Sequence, residues 1–337
     1  MALATMVLGA CGAPSPPERP GTRRGASRQL QVVTTILPVT LFTRAVAGDC
    51  AEVTPLIPAG SAAHSFQARP ADLLTLRRAR VLVINGLGME SFLNRLINAA
   101  ENPTLQVIDA SHGITPLLLA PGQPTGGHGH GHGQENGAAA SGGAAPGAAA
   151  GSAGGPAGPA SVNPHVWLDP QRAALQVATI RDGLIRADPH CAAGYRHRAA
   201  TMIGRLQELD REIDAQLEPF RGRSFVAFHD VAPYFAQRYG LRASFLVDVP
   251  EVNPTPRDLR RVAALVQRSQ LRALLSEPQQ GERSFNALAR DLGVRLSPFD
   301  PLESADAGAS LDPDTYFTVM RRNTADLLEA FGGARRP

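Results

Sequence analysis

The chain has 337 residues and a formal charge of +3; its 33 basic residues are all arginine, scattered with no cluster that would form a nucleic-acid face. It carries 33 Gly and 28 Pro, well above a usual combined share of roughly 12 %, so part of it is not built for a packed core. No apolar run reaches the roughly 18 residues of a spanning helix, which leaves a chain that is soluble or anchored from one end.

Met1 to Ala10 is small and apolar, and Leu8-Gly9-Ala10-Cys11 resembles the bacterial lipobox, whose Cys is acylated after signal cleavage. Gly12 to Arg28, rich in Pro, Ser and Arg, follows like a tether. Residues 1–29 are therefore expected to be signal and tether with Cys11 lipidated, although no positive segment precedes the apolar run. Cys50 and Cys191 then remain, in a compartment that permits disulfides. A bridge and two separate buried thiols both fit, because the sequence gives no distance between them.

Short β-branched runs next alternate with longer stretches of helical period, the pattern of βα units and parallel sheets. Four runs, Gln31–Ile36, Glu52–Ile57, Val81–Ile84 and Gln106–Ile108, precede a tract from Pro121 to Ala160 dominated by Gly, Ala and Pro. Such a tract cannot bury enough apolar surface to offset its ordering entropy. Asp169-Pro170 opens a helix over Gln171–Arg186, and Asp188-Pro189 opens a longer one. In the latter, Met202, Ile203, Leu206, Leu209, Ile213 and Leu217 recur at three- or four-residue spacing. A helix over 189–217 would be about 40 Å long, more than the width of one small lobe, so it is expected to span two. Four further runs follow, at Ser224–Phe228, Ala243–Val247, Ala273–Leu275 and Val294–Pro298.

The expected fold is thus α/β, with two lobes, each a four-stranded parallel sheet flanked by helices, joined by a long linking helix. An N-terminal βα lobe over 30–188 would hold the insert at about 119–162, the helix would cover 189–217, and a C-terminal βα lobe would cover 218–337.

In open parallel sheets ligands collect beyond the carboxyl ends of the strands. His64 follows the second run, His229 directly follows the fifth, Asp300 follows the eighth, and His165 stands just before a helix start. Two such residues come from each lobe. Three neutral imidazoles and one carboxylate make a compact four-coordinate set that suits Zn²⁺, whereas Mn²⁺ prefers more oxygens. Glu277 ends the seventh run and should point into the same crevice. It could orient a His N–H, bind the metal directly, or serve as a carboxylate at a helix start. His112, His190 and His197 do not follow strands in a way that reaches the crevice.

Several segments carry a family resemblance. Val-Val-Thr-Thr-Ile-Leu-Pro, the Pro-Ala-Gly loop with His-Ser-Phe, Ile-Asn-Gly-Leu-Gly-Met-Glu, Asn-Pro-His-Val-Trp-Leu-Asp-Pro, Phe-His-Asp-Val-Ala, Leu-Ser-Glu-Pro-Gln and Phe-Asp-Pro-Leu occur in that order. Together they resemble the metal-binding substrate-binding proteins of ABC importers, of the zinc-uptake (ZnuA-like) type, over roughly residues 30 to 332 apart from the insert. The resemblance implies a metal held between two lobes by His64, His165, His229 and Asp300. Manganese-selective members usually have Glu where this chain has His229, which favours zinc. Ala63 departs from members with a carboxylate before the first His. Zinc-type members often carry a His-rich loop where the insert stands, and here Gly127–Gly133 holds His128, His130 and His132, an auxiliary weak metal loop.

The function expected on this basis is extracytoplasmic capture of Zn²⁺, in the periplasm or at the outer face of the cytoplasmic membrane, and delivery to an ABC permease and its ATPase by a monomer that binds no nucleic acid. The same architecture could serve manganese or iron. A zinc hydrolase is the rival from another class, but a closed shell of four protein ligands leaves no water position, and no nucleophile elbow stands near these loops. The chain is therefore not expected to be an enzyme.

Overall fold

The computed structural model describes residues 29–58, 60–61, 63–64, 66–118, 162–247, 253–277, 283–304 and 311–332. Cys11 and the His128, His130 and His132 loop lie outside the described residues. The first sheet is formed by β1 (Leu30–Thr34), β2 (Ala51–Pro55), β3 (Val81–Ile84) and β4 (Gln106–Asp109) in the order β2-β1-β3-β4. The second is formed by β5 (Ser224–His229), β6 (Arg242–Val247), β7 (Ala273–Ser276) and β8 (Arg295–Pro298) in the matching order β6-β5-β7-β8. All pairings are parallel, with Val32 opposite Val53 and Val81, and Ala227 opposite Phe245 and Leu275.

Alternation along the strands divides the core into three layers. On β1 and β3, Val33 and Leu82 face outward to α2 (Pro70–Arg78) and α3 (Leu93–Ala100), while Val32, Val81 and Val83 face inward. On β5, Val226 and Phe228 join an outer cluster with residues of α7 (Pro256–Ser269) and α8 (Arg283–Asp291), and Phe225 and Ala227 face inward. The inward sides share one continuous apolar core. It is built around α1 (Leu37–Ala47), α4 (Pro170–Ala187), α5 (Ala192–Leu217) and α9 (Asp314–Ala330), which join both halves of the molecule. Phe42 of α1 meets Tyr316 of α9 edge to face at 5.0 Å.

The linking helix explains this continuity. α5 runs 26 residues, about 39 Å at 1.5 Å per residue, and buries Tyr195, Ala199, Met202, Leu206, Leu209, Ile213 and Leu217 along one stripe. That stripe packs on α1 and α4 of the first half and on α9 of the second. The expected start at Pro189 is a short 3-10 turn, Pro189–Cys191, that precedes α5. Its partner α4 begins at Pro170, where the Asp169 side chain accepts the Gln171 N–H at 2.9 Å, as the Asp-Pro pair foretold.

Cys50 and Cys191, left open by the sequence, are joined in a disulfide across 141 residues of chain. It ties the turn after α1 to the start of α5. Among the described residues no helix is long and apolar enough to cross a membrane. The two ends of the insert meet in an isolated antiparallel bridge between Leu118 and Val162.

Candidate metal centre

Loops at the carboxyl ends of the two sheets face each other across the cleft, and four side chains converge there. The candidate ligand atoms of His64, His165, His229 and Glu303 all lie within 4.8 Å of one another. Glu303 Oε1 sits 3.2 Å from His64 Nε2, 2.7 Å from His165 Nε2 and 3.1 Å from His229 Nε2. All four side chains are largely withdrawn from solvent. Among the described residues no second such cluster of His, Cys, Asp and Glu is present.

The carboxylate beside the histidines is therefore that of Glu303, a correction to the expectation for Asp300. Asp300 builds the turn that delivers Glu303. Its Oδ1 accepts the Leu302 N–H at 2.8 Å, its Oδ2 accepts from Arg322 Nη2 at 3.0 Å, and its backbone is gripped by the Asn323 amide at 2.8 and 2.7 Å. This is an Asx turn. Leu302 completes it with φ of 61°, a left-handed conformation that a leucine adopts only under local constraint. The chain reverses, and the next residue faces the cleft. A signal for this existed in the sequence, since in each of the three other Asp-Pro pairs, Asp169-Pro170, Asp188-Pro189 and Asp312-Pro313, the Asp side chain accepts the N–H two residues on at the start of a helix or helical turn. Read the same way, Asp300-Pro301 marks a turn, and the acid to examine is the one beyond it.

The imidazoles are oriented from behind. His229 Nδ1 donates to Glu277 Oε1 at 2.6 Å, and the same oxygen accepts the His229 backbone N–H at 3.1 Å. Of the three roles open to Glu277, the geometry is that of the residue that orients a His N–H. His165 Nδ1 donates to Asn163 Oδ1 at 2.9 Å, which also accepts the His165 backbone N–H at 3.0 Å. Sequence reading passed over Asn163, although it opens the Asn-Pro-His motif. With Nδ1 of both rings engaged as donor, the Nε2 atoms of His165 and His229 are turned toward the shared carboxylate oxygen.

The β3–α3 loop steadies this arrangement from below. Buried Glu90 accepts from the Thr35 hydroxyl at 2.6 Å and from the Asn85 and Gly86 N–H groups at 2.7 and 3.1 Å. Burial pushes its carboxyl above the ordinary range despite those donors. Gly86 is required here: its φ is +83°, and a Cβ would fall 2.2 Å from Asp109 Oδ1. Asn85 Nδ2 in turn donates to Pro164 O, the carbonyl just before His165, at 3.0 Å.

Charge in the cluster follows from burial and from the two acids. Desolvation pulls His165 down to about 4 although Glu303 favours its proton. For His229 desolvation acts in the same direction, but Glu277 and Glu303 together outweigh it and raise the imidazole to about 10. Glu303, despite burial, is held well below the usual carboxylate range by His64 and His229. The site is thus built to hold positive charge at the point where four ligand atoms meet. His112, His190 and His197 are not part of it.

Residues 32–330 match the family described as zinc-uptake complex component A, periplasmic (ZnuA). The chain is 28 % identical over 303 residues to the zinc-binding protein AdcA of Streptococcus pyogenes, covering 90 % of this chain and 56 % of AdcA. It is 28 % identical over 310 residues to the zinc-binding lipoprotein AdcA of Streptococcus pneumoniae, covering 91 % of this chain and 57 % of that protein. The chain thus spans little more than half the length of these curated relatives. The crystal structure of the Zn(II)-bound ZnuA-like domain of Streptococcus pneumoniae AdcA is 27 % identical and superposes with a TM-score of 0.68, covering 90 % of this chain and 99 % of the domain.

Proposed function

The chain belongs to the zinc-uptake complex component A family, and we propose from that premise that it captures Zn²⁺ between its lobes through His64, His165, His229 and Glu303 and delivers the ion to an ABC permease. The observation that carries this reading is the convergence of three imidazole Nε2 atoms on one carboxylate oxygen at 2.7–3.2 Å. Ligands about 2.0–2.1 Å from a tetrahedral ion stand roughly 3.3 Å apart; here the three nitrogen-to-oxygen separations lie at or just below that value and all four ligand atoms fall within 4.8 Å of one another. Three nitrogens and one oxygen favour zinc over manganese, which prefers oxygen-rich sites. Four protein ligands also leave no open position for an activated water, and the family is one of uptake components rather than hydrolases.

In this reading the cargo enters from solvent, meets rings already turned with Nε2 forward, and displaces the Nε2 proton that His229 shares with Glu303, while Nδ1 keeps its bond to Glu277. Residues 30–188 and 218–337 act as the two jaws, with the helix over 189–217 as a stiff strut behind them. Residues 1–29 would secrete and anchor the chain through lipidated Cys11, placing it outside the cytoplasmic membrane, where a disulfide is stable. The His128, His130 and His132 tract would gather zinc weakly and pass it to the cleft.

Metal analysis of the purified chain tests the reading. After equilibration with equimolar zinc and excess manganese, one tightly held zinc per chain is expected. Stoichiometric manganese without zinc would turn the reading toward a manganese protein, and failure to retain either metal would overturn it. Deletion of 126–133 should leave the single tight site intact.

A further inference from the structure

By chain order His64 and His165 both precede α5 and would move together. The hydrogen bonds divide them differently. Asn163 Nδ2 donates across the cleft to Asp230 O at 2.7 Å and to Asp230 Oδ2 at 3.1 Å. Asp230 is the neighbour of His229. The hydroxyl of Tyr234, on α6 (Pro233–Arg238), donates to Asn163 O at 2.8 Å and accepts the Leu117 N–H at 2.9 Å. Trp167 Nε1 donates to Pro301 O at 2.8 Å, within the turn that delivers Glu303, and Tyr316 OH donates to Trp167 O at 2.6 Å. Toward the first half the segment keeps two contacts through its backbone, Asn163 N–H to Leu117 O and Asn85 Nδ2 to Pro164 O, both at 3.0 Å, while its bonds to Asp230, Tyr234, Pro301 and Tyr316 all run to the second half.

The Asn163 amide cannot be turned the other way. Its Nδ2 faces two oxygens of Asp230 and its Oδ1 faces two N–H groups of His165, so each end meets only its complement. One side chain therefore sets the His165 ring and ties it to the residue beside His229. Resting on the zinc reading above, we infer that Asn163 is a positioning residue that makes His165, His229 and Glu303 a preassembled three-ligand face on the second lobe, which His64 completes when the cleft closes. The ligand shell then divides three to one between moving bodies, not two to two. Zinc would land first on the three-ligand face, and withdrawal of His64 would be the step that opens the site.

The test compares variants by zinc competition with a chelator, by the rate of zinc release, and by the visible spectrum of the Co²⁺-loaded protein, which reports coordination. Asn163→Ala should weaken zinc about 10–100-fold, the usual cost of removing an outer partner of a metal-bound His, and should change the Co²⁺ spectrum. His64→Ala should still bind one zinc per chain, with faster release. Tyr234→Phe, which removes a latch but leaves the His165 contact, should lower the melting temperature and leave affinity within about twofold of the unmodified chain. If Asn163→Ala does not fold, Asn163→Asp carries the test. It keeps an acceptor for His165 Nδ1 but turns like charge toward Asp230, so zinc release should accelerate. Asn163→Ala matching the unmodified chain in affinity and spectrum, unaltered release from Asn163→Asp, or loss of stoichiometric zinc in His64→Ala would each overturn the inference. Failure of the unmodified chain to bind zinc would instead overturn the function proposed for the site.

Discussion

The loop that carries His64 and the segment Asn163–Arg172 that carries His165 both come from the first half of the chain, yet they meet the cleft in different ways. The second is saturated with structural work. Asn163 orients and latches, Trp167 bonds to Pro301 O, Asp169 caps α4, and Arg172 pairs with Asp169 at 2.6 Å, bonds to Gln237 at 2.9 Å and lies over the Tyr234 ring at 4.7 Å. His64 meets the other half at the cluster itself, through Glu303 Oε1 and the His229 ring. The difference teaches that ligands adjacent on one side of a linking helix need not belong to one moving body. Buried hydrogen bonds across a cleft decide that, because breaking one without a replacement costs about 1–3 kcal/mol per stranded group.

The largest effect expected from breaking this arrangement is at the metal. His165→Ala or Glu303→Ala should abolish most of the zinc-dependent rise in melting temperature, a stabilisation of about 2.7 kcal/mol when free zinc is a hundred times its Kd. Thermal scans with and without zinc check it, and His190→Ala, outside the cluster, should keep the full rise. An equal loss in His190→Ala would show that the cleft is not the site.

The strut behind both regions should show its effect in stability and not at the metal. Cys50→Ser with Cys191→Ser should cost about 2–5 kcal/mol of stability without a comparable loss of zinc affinity, since the bond closes a long loop far from the ligands. Chemical denaturation and a chelator titration separate the two quantities. A large loss of affinity with unchanged stability would contradict the assignment.

The pH dependence sharpens the contrast between His165 and His229. His165, lowered to about 4, is unprotonated at neutral pH and ready to coordinate. His229, raised to about 10, holds a proton that zinc must displace. Zinc affinity should therefore rise about tenfold per pH unit from roughly 6.5 toward 10, with about one proton released per ion near neutrality. In the metal-free fold the sign is opposite for His229: its stabilisation is complete below roughly 6.5 and is lost as pH rises through about 10. The lowered His165 instead costs stability as pH falls from roughly 6.5 to about 4, where the unfolded chain takes up its proton first. Proton release in weakly buffered zinc titrations checks the coordination claim, and release near zero would contradict it.

The smallest effect separates the two acids of the last loop. Asp300→Ala removes the cap on Leu302 and should cost about 1 kcal/mol of stability, with a moderate loss of affinity through misplacement of Glu303. Glu303→Ala should lose far more zinc with less loss of stability. The reverse ranking would restore Asp300 as the metal-facing acid.

The β-branched runs, their grouping four and four, and the apolar stripe from Met202 to Leu217 were enough to read two parallel sheets and a spanning helix, because strand and helix periods are local properties of the chain. Two members of the cluster, His64 and His229, were legible for a related reason: residues that follow strands face the crevice of an open sheet whatever the details of the loop. His165 was legible from its place before a helix start in the Asn-Pro-His motif. Glu303 was not, since the side chain that reaches the cleft depends on the left-handed turn at Leu302 and on the grip of Asn323 and Arg322, which come from α9. Cys50 meeting Cys191, and Asn163 meeting Asp230, were hidden likewise. Each is a contact between residues far apart in the chain, and only packing α1, α4, α5 and α9 into one core brings their partners within reach.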